Sequence, residues 1–161
     1  MEIRGLTLDD VPDVLKIQEE CYIPDLLETA DTFIKKLRLF PQGSLGCWQR
    51  EDLTAYVFAH PWKVGEIVPL DFALRSLPTD ANSLYIHDLA VSPKFRGLKI
   101  ADQLLQKLFS IAGSLGLEDF ALVAVQNSEP FWNRYGFRTQ EKLIYGTNTP
   151  ASKMSMTKGR S

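Results

Sequence analysis

A short basic turn is the first place in this sequence where residue types and spacing predict chemistry. The turn contains Lys94, Arg96, Gly97 and Lys99, and an amphipathic helix is predicted to begin at Ile100. The free N–H groups of a helix start, together with the helix dipole, favour an anion at that position. Three cations within six residues strengthen this interpretation, so the turn predicts a phosphate or pyrophosphate site. Cations on an exposed, solvated surface would give the same pattern. The turn also matches neither the Walker motif nor the GxGxxG motif of known phosphate-binding loops.

A histidine in the apolar segment before this turn is the candidate base. The pKa of a histidine side chain lies near neutrality, so His87 can accept a proton at physiological pH. Alternation along a strand predicts two faces, with Tyr85, His87, Leu89 and Val91 on one and Ile86, Asp88 and Ala90 on the other. A core histidine held by hydrogen bonds, with no catalytic role, is the alternative.

The surrounding residues predict a mixed α/β protein with the element order β-α-α-β-β-β-α-β-α-β-β. The predicted strands cover residues 2–6, 44–50, 53–62, 83–91, 120–125, 138–145 and 153–158. The first predicted helix follows a capping box at Thr7 and Asp10 and is closed by Pro24. The other predicted helices cover residues 29–40, 100–115 and 129–135. Residues 63–82 are predicted to be irregular, and a loop of this length in a compact domain is often functional.

Length and composition limit the class of protein. The 161 residues predict one domain, residues 1–161, with 45% hydrophobic and 24% charged residues, as is ordinary for a soluble globular protein. A net charge of −2 argues against a protein that holds nucleic acid by bulk electrostatics. No apolar run is long enough to span a membrane. Cys21 and Cys47 are isolated, so we expect reduced thiols, a cytoplasmic location and no metal site.

Two motifs resemble those of the GNAT superfamily of acyl-CoA-dependent N-acyltransferases. Residues 89–97 (LAVSPKFRG), running into residues 100–105 (IADQLL), resemble its acetyl-CoA-binding motif. Residues 131–137 (FWNRYGF) resemble its second motif, Phe-Tyr-x-x-x-Gly-Phe. The order of the elements and the spacing of the motifs also match, so the resemblance covers nearly the whole chain. It implies a single-domain α/β fold with a mixed, mostly antiparallel twisted sheet flanked by helices, the acyl-CoA N-acyltransferase fold.

The resemblance implies that the chain is an N-acetyltransferase enzyme with acetyl-CoA as the acyl donor. The backbone of Leu89 and Val91 would bind the pantetheine arm as an added strand does. The amides from Arg96 through Ala101 would surround the pyrophosphate, and residues within 127–135 would pack along the thiol end. The implied cofactor-binding residues are Leu89, Ala90, Val91, Arg96, Gly97, Leu98, Lys99, Ile100, Ala101, Asn127, Phe131 and Trp132.

Two positions depart from the superfamily pattern. Lys99 stands where a glycine is expected; a lysine can keep helical dihedrals there, and its ammonium group could contact a phosphate. Trp132 replaces the tyrosine that protonates the departing thiolate in many members, and an indole N–H is far too weak an acid for that role. Tyr135, one helical turn from Trp132, is the candidate acid by elimination, although a core position under the cofactor is the favoured interpretation.

Within the superfamily, the chain resembles the serotonin (arylalkylamine) N-acetyltransferase branch. Residues 40–48, 60–62 and 85–91 carry this looser resemblance. His87 matches a catalytic histidine of that branch. Tyr85 occupies the position of its second histidine, where it could line a water chain, bind substrate or simply pack.

Substrate selection is expected to fall to the first two helices, their connection and residues 63–82. Acidic and aromatic residues around the connection suit a cationic amine with an apolar body, unless they form a solvated acidic rim. These residues are Glu19, Glu20, Asp25, Glu28 and Asp31, with Tyr22 and Phe33 among them.

We therefore predict acetyl transfer to a small-molecule primary amine by direct attack, with no covalent enzyme intermediate. The alternatives are a protein or peptide amine as acceptor, or a catalytically silent acyl-CoA-binding module. A homodimer is left open, and neither nucleic acid nor a membrane is an expected partner.

Overall fold

Seven strands form one sheet in the computed structural model, which describes residues 1–158. The strands are β1 Glu2–Gly5, β2 Ser44–Gln49, β3 Asp52–Trp62, β4 Ser83–Val91, β5 Asp119–Val125, β6 Arg138–Tyr145 and β7 Thr149–Thr157. Their order across the sheet is β1-β2-β3-β4-β5-β7-β6. Every neighbouring pair is antiparallel except β4 and β5, which run parallel. The predicted mixed, mostly antiparallel sheet is confirmed.

Four α-helices flank the sheet, and the predicted element order is confirmed. The helices are α1 Val11–Cys21, α2 Ala30–Leu39, α3 Ile100–Ser114 and α4 Glu129–Asn133. The capping box before α1 is present, since the Thr7 N–H donates to Asp10 Oδ2 at 2.8 Å. The clearest difference is the last strand, which begins at Thr149 instead of the predicted residue 153. No helix within residues 1–158 is both long enough and apolar enough to cross a bilayer.

Helices α1 and α2 cover one face of the sheet, and α3 covers the other. Consecutive residues of β3 show this division: Val57 packs in the core with Leu104 and Leu108 of α3, whereas Tyr56 and Phe58 pack with α1 and α2. We call these two regions the α3 layer and the α1–α2 layer.

A one-residue bulge in β4 determines which of its side chains share a face. Asp88 pairs with Phe58 of β3, whereas Ile86 pairs with Ala59, so His87 is an extra residue between the two pairs. An extra residue reverses the alternation of the strand beyond it. Side chains on opposite sides of the bulge therefore share a face where an uninterrupted strand would separate them.

This bulge overturns one expectation drawn from strand alternation. Leu89 and Val91 pack with the α3 layer, whereas Tyr85 lies outside that core and the side chains of His87 and Asp88 bond to residues of the α1–α2 connection and α1. The prediction that Tyr85, His87, Leu89 and Val91 share a face, with Asp88 pointing away from it, is wrong.

The parallel pair β4 and β5 separates soon after it begins. Only residues 83–85 of β4 pair with β5, opposite residues 119–121. Beyond Tyr85, the edge of β4 that faces β5 has no strand partner within residues 1–158. An open notch between two strands at the centre of the sheet is the feature around which the site is built.

The aromatic core of the α1–α2 layer yields a test of the fold. Phe33 of α2 is fully buried, with its ring centroid 6.1 Å from Tyr56 and 4.9 Å from Phe58. We expect Phe33→Ala to lower the free energy of unfolding by about 3–5 kcal/mol through lost burial and a residual cavity. Phe72, which is 46% exposed, is the matched control, and Phe72→Ala should change stability by no more than about 0.5 kcal/mol. Equal losses in urea denaturation would contradict this packing.

Candidate active site

A cavity of about 710 Å³ occupies the notch between β4 and β5. Its walls come from both strands, the end of α1, the start of α3 and α4. A volume of this size lies within the usual range for a ligand pocket. Three cations line it, Arg96, Lys99 and Arg134, and three acids line it, Glu28, Asp88 and Asp102.

The start of α3 forms the cationic end of the cavity. Five residues that the sequence assigned to the pyrophosphate line it: Arg96, Gly97, Lys99, Ile100 and Ala101. The neighbouring Leu98 is 49% exposed and does not line it. The N–H groups of a fifteen-residue helix therefore begin beside two cations, which is the arrangement that favours a bound phosphate.

Lys99 stands at the N-cap of α3 with left-handed backbone dihedrals, φ 59° and ψ 27°. The expectation that a lysine here keeps helical dihedrals is therefore wrong. Glycine adopts this conformation freely, whereas for a residue with a Cβ atom it costs about 1 kcal/mol. Strain of this kind is concentrated at functional sites.

The carbonyl groups along the free edge of β4 point into the notch. The Leu89 carbonyl accepts a hydrogen bond from Tyr22 Oη at 3.0 Å. The Val91 carbonyl accepts bonds from Cys21 Sγ and Arg96 Nε, both at 3.3 Å. Leu89 and Val91 are the two residues whose backbone the resemblance assigns to the pantetheine arm. The sequence did not predict that the end of α1 lies along this edge.

A buried histidine–glutamate pair stands at the bulge. His87 Nε2 lies 2.8 Å and 2.9 Å from the two carboxylate oxygens of Glu28, and the two side chains are only 1% and 3% exposed. Gln18 holds the Glu28 backbone on both sides, at 2.7 Å and 3.0 Å. The Asp71 N–H donates to Glu28 Oε2 at 2.6 Å.

The charge of this pair follows from its surroundings. Burial raises the pKa of Glu28, but its interaction with His87 and the hydrogen bond from the Asp71 N–H outweigh this effect, so the pKa of Glu28 lies below its usual value. A carboxylate at Nε2 leaves Nδ1 as the free nitrogen of the imidazole, and Nδ1 has no partner within residues 1–158. The side chain of His87 is buried, but the residue as a whole is partly exposed. Its exposed surface therefore belongs to the backbone, which lines the cavity.

Asp88 lies next to His87 on the same side of β4. Its Oδ1 lies within hydrogen-bond distance of Tyr22 Oη, at 2.7 Å, and its Oδ2 accepts from Tyr56 Oη at 2.8 Å. Burial, reinforced by the negative charge of Glu28, raises the pKa of Asp88 to about 6. The carboxyl group can therefore hold a proton close to neutral pH.

Comparison with known proteins agrees with this architecture. A model of the acetyltransferase (GNAT) family matches residues 11–137, which is most of the chain. The chain belongs to the acetyltransferase (GNAT) family. Among curated proteins it is similar to the uncharacterized N-acetyltransferase YkwB of Bacillus subtilis (strain 168), at 25% identity over 133 residues. That alignment covers 73% of this chain but only 58% of the relative.

Solved structures of other proteins share the fold. The loading GNATL domain of CurA from Lyngbya majuscula superposes with a TM-score of 0.81 at 13% identity, covering 97% of this chain and 96% of that one. Ard1 from Thermoplasma volcanium superposes with a TM-score of 0.78 at 15% identity, covering 99% of this chain and 98% of that one. The PaiA N-acetyltransferase from Thermoplasma acidophilum, in complex with coenzyme A, superposes with a TM-score of 0.72 at 15% identity. The superposition covers 97% of this chain and 98% of that one.

Besides Leu98, two further residues that the sequence assigned to the site of this GNAT family member lie outside its cavity, Tyr85 and Asn127. Tyr85 is 1% exposed and packs between His60 and His87, and its hydroxyl accepts the Val68 N–H at 3.3 Å. The packing interpretation of Tyr85 therefore fits its position. Asn127 lines a separate shallow pocket on the β6–β7 side, and its assignment to the cofactor stays a prediction.

The neighbour of Asn127, Gln126, which sequence reasoning did not single out, lines the cavity. Both residues have left-handed backbones, with φ values of 54° and 60°, and this turn points the earlier side chain into the cavity. Gln126 Nε2 donates to the Cys21 carbonyl, and its Oε1 accepts the Ile23 N–H, both at 3.0 Å. The end of β5 is thereby tied to the end of α1.

Phe131, Trp132 and Tyr135 line the cavity from the region of α4, as predicted. The Tyr135 hydroxyl donates to Asp102 Oδ1 at 3.1 Å in the first turn of α3. Partial burial and the Asp102 carboxylate raise the pKa of Tyr135. Its hydroxyl therefore lies at the cationic end of the cavity.

The sequence left open that the acidic residues of the α1–α2 connection form a solvated rim, and two of them, Glu28 and Asp25, are instead bonded to other parts of the protein. Glu28 is 7% exposed and pairs with His87. The Asp25 carboxylate accepts the N–H groups of Thr147 and Asn148, each at 3.0 Å, and the hydroxyls of Thr147 and Thr149. We call this set of bonds the Asp25 clasp, because it joins the α1–α2 connection to the β6–β7 turn.

Sequence reasoning missed Tyr22 and Glu28 as parts of the central site, although it placed both near the substrate. A signal for Glu28 was present, since it follows Leu26 and Leu27 and precedes the helix cap at Thr29. An acid in an apolar stretch is usually buried only when it is paired.

The strained Lys99 backbone generates a stability prediction. We expect Lys99→Gly to raise the free energy of unfolding by about 1 kcal/mol, because glycine relieves the left-handed strain. Lys99→Ala is the matched control, since it removes the same charge but keeps the Cβ atom, and it should give no such gain. An equal gain in both variants would show that charge, and not backbone strain, is responsible.

Proposed function

We propose that this protein transfers the acetyl group of acetyl-CoA to the nitrogen of a small primary amine, by direct attack and without a covalent enzyme intermediate. The observation that carries the proposal is the notch between β4 and β5. One end of its cavity meets the cations and amides at the start of α3, and its middle meets the His87–Glu28 pair. A long acyl-CoA ester and an acceptor can meet only if both are held across such a cleft.

Acetyl-CoA would lie along the free edge of β4. The turn from Arg96 to Ala101 would hold the pyrophosphate, with the Lys99 ammonium as a further contact. Leu89 and Val91 would bind the pantetheine arm through their backbone, and Phe131 and Trp132 would flank it. This assignment is supported by the cavity lining and by the coenzyme A bound to the PaiA enzyme of similar fold.

His87 is the proposed base, and Glu28 is its positioning residue. The Glu28 carboxylate fixes the imidazole through Nε2 and would stabilise the imidazolium that forms when the amine proton is taken up. The backbone of His87, exposed by the bulge, lies beside the edge where the thioester carbonyl would be. Donors aimed at a developing oxyanion contribute strongly to acyl transfer.

The enclosure of the acceptor side favours a small amine over a peptide. The Asp25 clasp bridges the α1–α2 connection and the β6–β7 turn. Residues 63–82 form a roof, because Tyr145 Oη donates to the Val68 carbonyl at 2.6 Å and Thr29 donates to Asp71 at 2.8 Å. An extended peptide would need this side to be open.

The lining of the acceptor side also indicates the body of the amine. Leu26, Leu70 and Tyr145 contribute apolar surface next to the carboxylate of Glu28. These groups suit a monoamine with an apolar or aromatic body. Primary amines with an aromatic or other apolar body are therefore the first compounds to test. Cytoplasmic location and homodimer formation remain predictions.

Calorimetric titration with acetyl-CoA, followed by thiol release with a panel of amines, tests the function. We expect saturable binding and turnover with apolar primary amines. His87→Ala should lower kcat/KM about 10²–10⁴-fold through loss of the base, and Glu28→Gln should lower it less, while acetyl-CoA affinity changes little. The exposed Glu19 is the matched control, and Glu19→Gln should be silent. Tight cofactor binding without turnover would instead favour the catalytically silent module.

Opening the clasp tests the size of the acceptor. We expect Asp25→Ala to raise KM for the small amine at least tenfold, because the β6–β7 turn loses four hydrogen bonds, while acetyl-CoA affinity is unchanged. Asp31, an exposed acid on α2, supplies the control variant Asp31→Ala. Better turnover of N-terminal peptides than of amines by the wild-type protein would overturn the small-molecule assignment.

A further inference from the structure

The leaving group of the proposed reaction requires a proton. When the amine attacks the thioester, the C–S bond breaks and the sulfur departs with the electron pair. Three tyrosines line the cavity as possible donors: Tyr22, Tyr135 and Tyr145. Tyr145 donates its proton to the Val68 carbonyl at 2.6 Å, behind the acceptor wall, and Tyr135 donates to Asp102 at the start of α3.

Only Tyr22 has its hydroxyl on the free edge of β4, where the thioester arm would lie. Its position follows from the course of α1 along that edge. Cys21 Sγ bonds the carbonyl of Val91, and Tyr22 Oη bonds the carbonyl of Leu89 two residues closer to His87. Tyr22 therefore stands between the cationic end of the cavity and the proposed base.

The hydrogen bonds of Tyr22 need one more proton than its hydroxyl carries. Tyr22 Oη lies 2.7 Å from Asp88 Oδ1 and 3.0 Å from the Leu89 carbonyl oxygen. Both neighbours are acceptors if Asp88 is ionised, and a phenol has a single proton. A protonated Asp88 resolves the conflict, because it donates to Tyr22 Oη and lets Tyr22 donate to Leu89.

The surroundings of Asp88 make that protonated form accessible near neutral pH, because they raise the pKa of the carboxyl group to about 6. The side chain is buried, its other oxygen accepts from Tyr56 at 2.8 Å, and the Glu28 carboxylate acts on it as a like charge. Burial and a neighbouring negative charge both raise the pKa of a carboxyl group. Asp88, Tyr22 and the edge of β4 thus form a short chain along which a proton can pass into the cavity.

We propose that Tyr22 is a catalytic residue that protonates the departing thiolate, with Asp88 behind it as the source of the proton. The inference rests on the proposed acetyl transfer. The N–C bond forms, the C–S bond breaks, sulfur takes the Tyr22 proton, and Tyr22 takes the Asp88 proton. The amine proton goes to His87. One proton passed from His87 to Asp88 through solvent then restores the starting state.

The test compares Tyr22→Phe with the rival variant Tyr135→Phe. We expect Tyr22→Phe to lower kcat about 10²-fold, as loss of a general acid does, with acetyl-CoA affinity within about twofold of wild type. The loss of kcat in Tyr22→Phe should exceed the loss in Tyr135→Phe at least about tenfold, because only the first variant removes the acid. A large loss in Tyr135→Phe with none in Tyr22→Phe would overturn the assignment and identify Tyr135 as the acid.

A second readout needs no amine. The thiol pKa of enzyme-bound coenzyme A can be followed by the ultraviolet absorbance of its thiolate. We expect this pKa to be higher in Tyr22→Phe than in wild type, because the phenol no longer donates to the sulfur. Equal values would overturn the inference. This measurement decides the role of Tyr22 even if no amine is acetylated, so it separates failure of the inference from failure of the proposed function.

The role of Asp88 is tested by a double-variant cycle. Asp88→Asn keeps a group of similar shape at Asp88 but has no acidic proton to pass on. We expect it to lower kcat as much as Tyr22→Phe does, and the double variant to lose no more than either single variant, as for residues acting as a unit. Losses that multiply would show that Asp88 does not act through Tyr22.

Discussion

The pairing of β4 with its two neighbours is the constraint on which the rest of the structure depends. On one side, a single extra residue at His87 shifts the register with β3. On the other side, pairing with β5 stops after Tyr85. The first irregularity brings two ionisable side chains to one face, and the second opens the space beside them. A regular strand paired along its whole length would have neither the cavity nor the His87–Asp88 juxtaposition.

This arrangement concentrates charge in the interior, and the α1–α2 layer balances it. Glu28 and Asp88 are both buried, and the ammonium of Lys36 is buried beside them, 2% exposed and without a hydrogen-bond partner within residues 1–158. Burial lowers the pKa of Lys36, and the nearby carboxylates act in the opposite direction. Buried charges persist only when opposite charges and hydrogen bonds offset their desolvation. The α1–α2 layer is therefore held together by interactions between buried charges as well as by hydrophobic packing.

The sequence predicted the parts of the molecule that depend on local pattern. The element order, the basic turn at the start of α3 and the histidine in β4 follow from periodicity, caps and short motifs. The bulge could not be predicted in this way, because it exists only in the register with β3. The partner of His87 was missed because Glu28 lies 59 residues away in the sequence. The position of Gln126 in the cavity lining was missed because it depends on a turn with two left-handed residues.

The Asp25 clasp has a consequence for the order in which the molecule assembles. It joins residues 122 positions apart, so the chain must close a very long loop before these bonds can form. Contacts of such separation depend on structure that has already organised between them. Closure of the acceptor wall therefore depends on the β6–β7 hairpin at the far end of the chain.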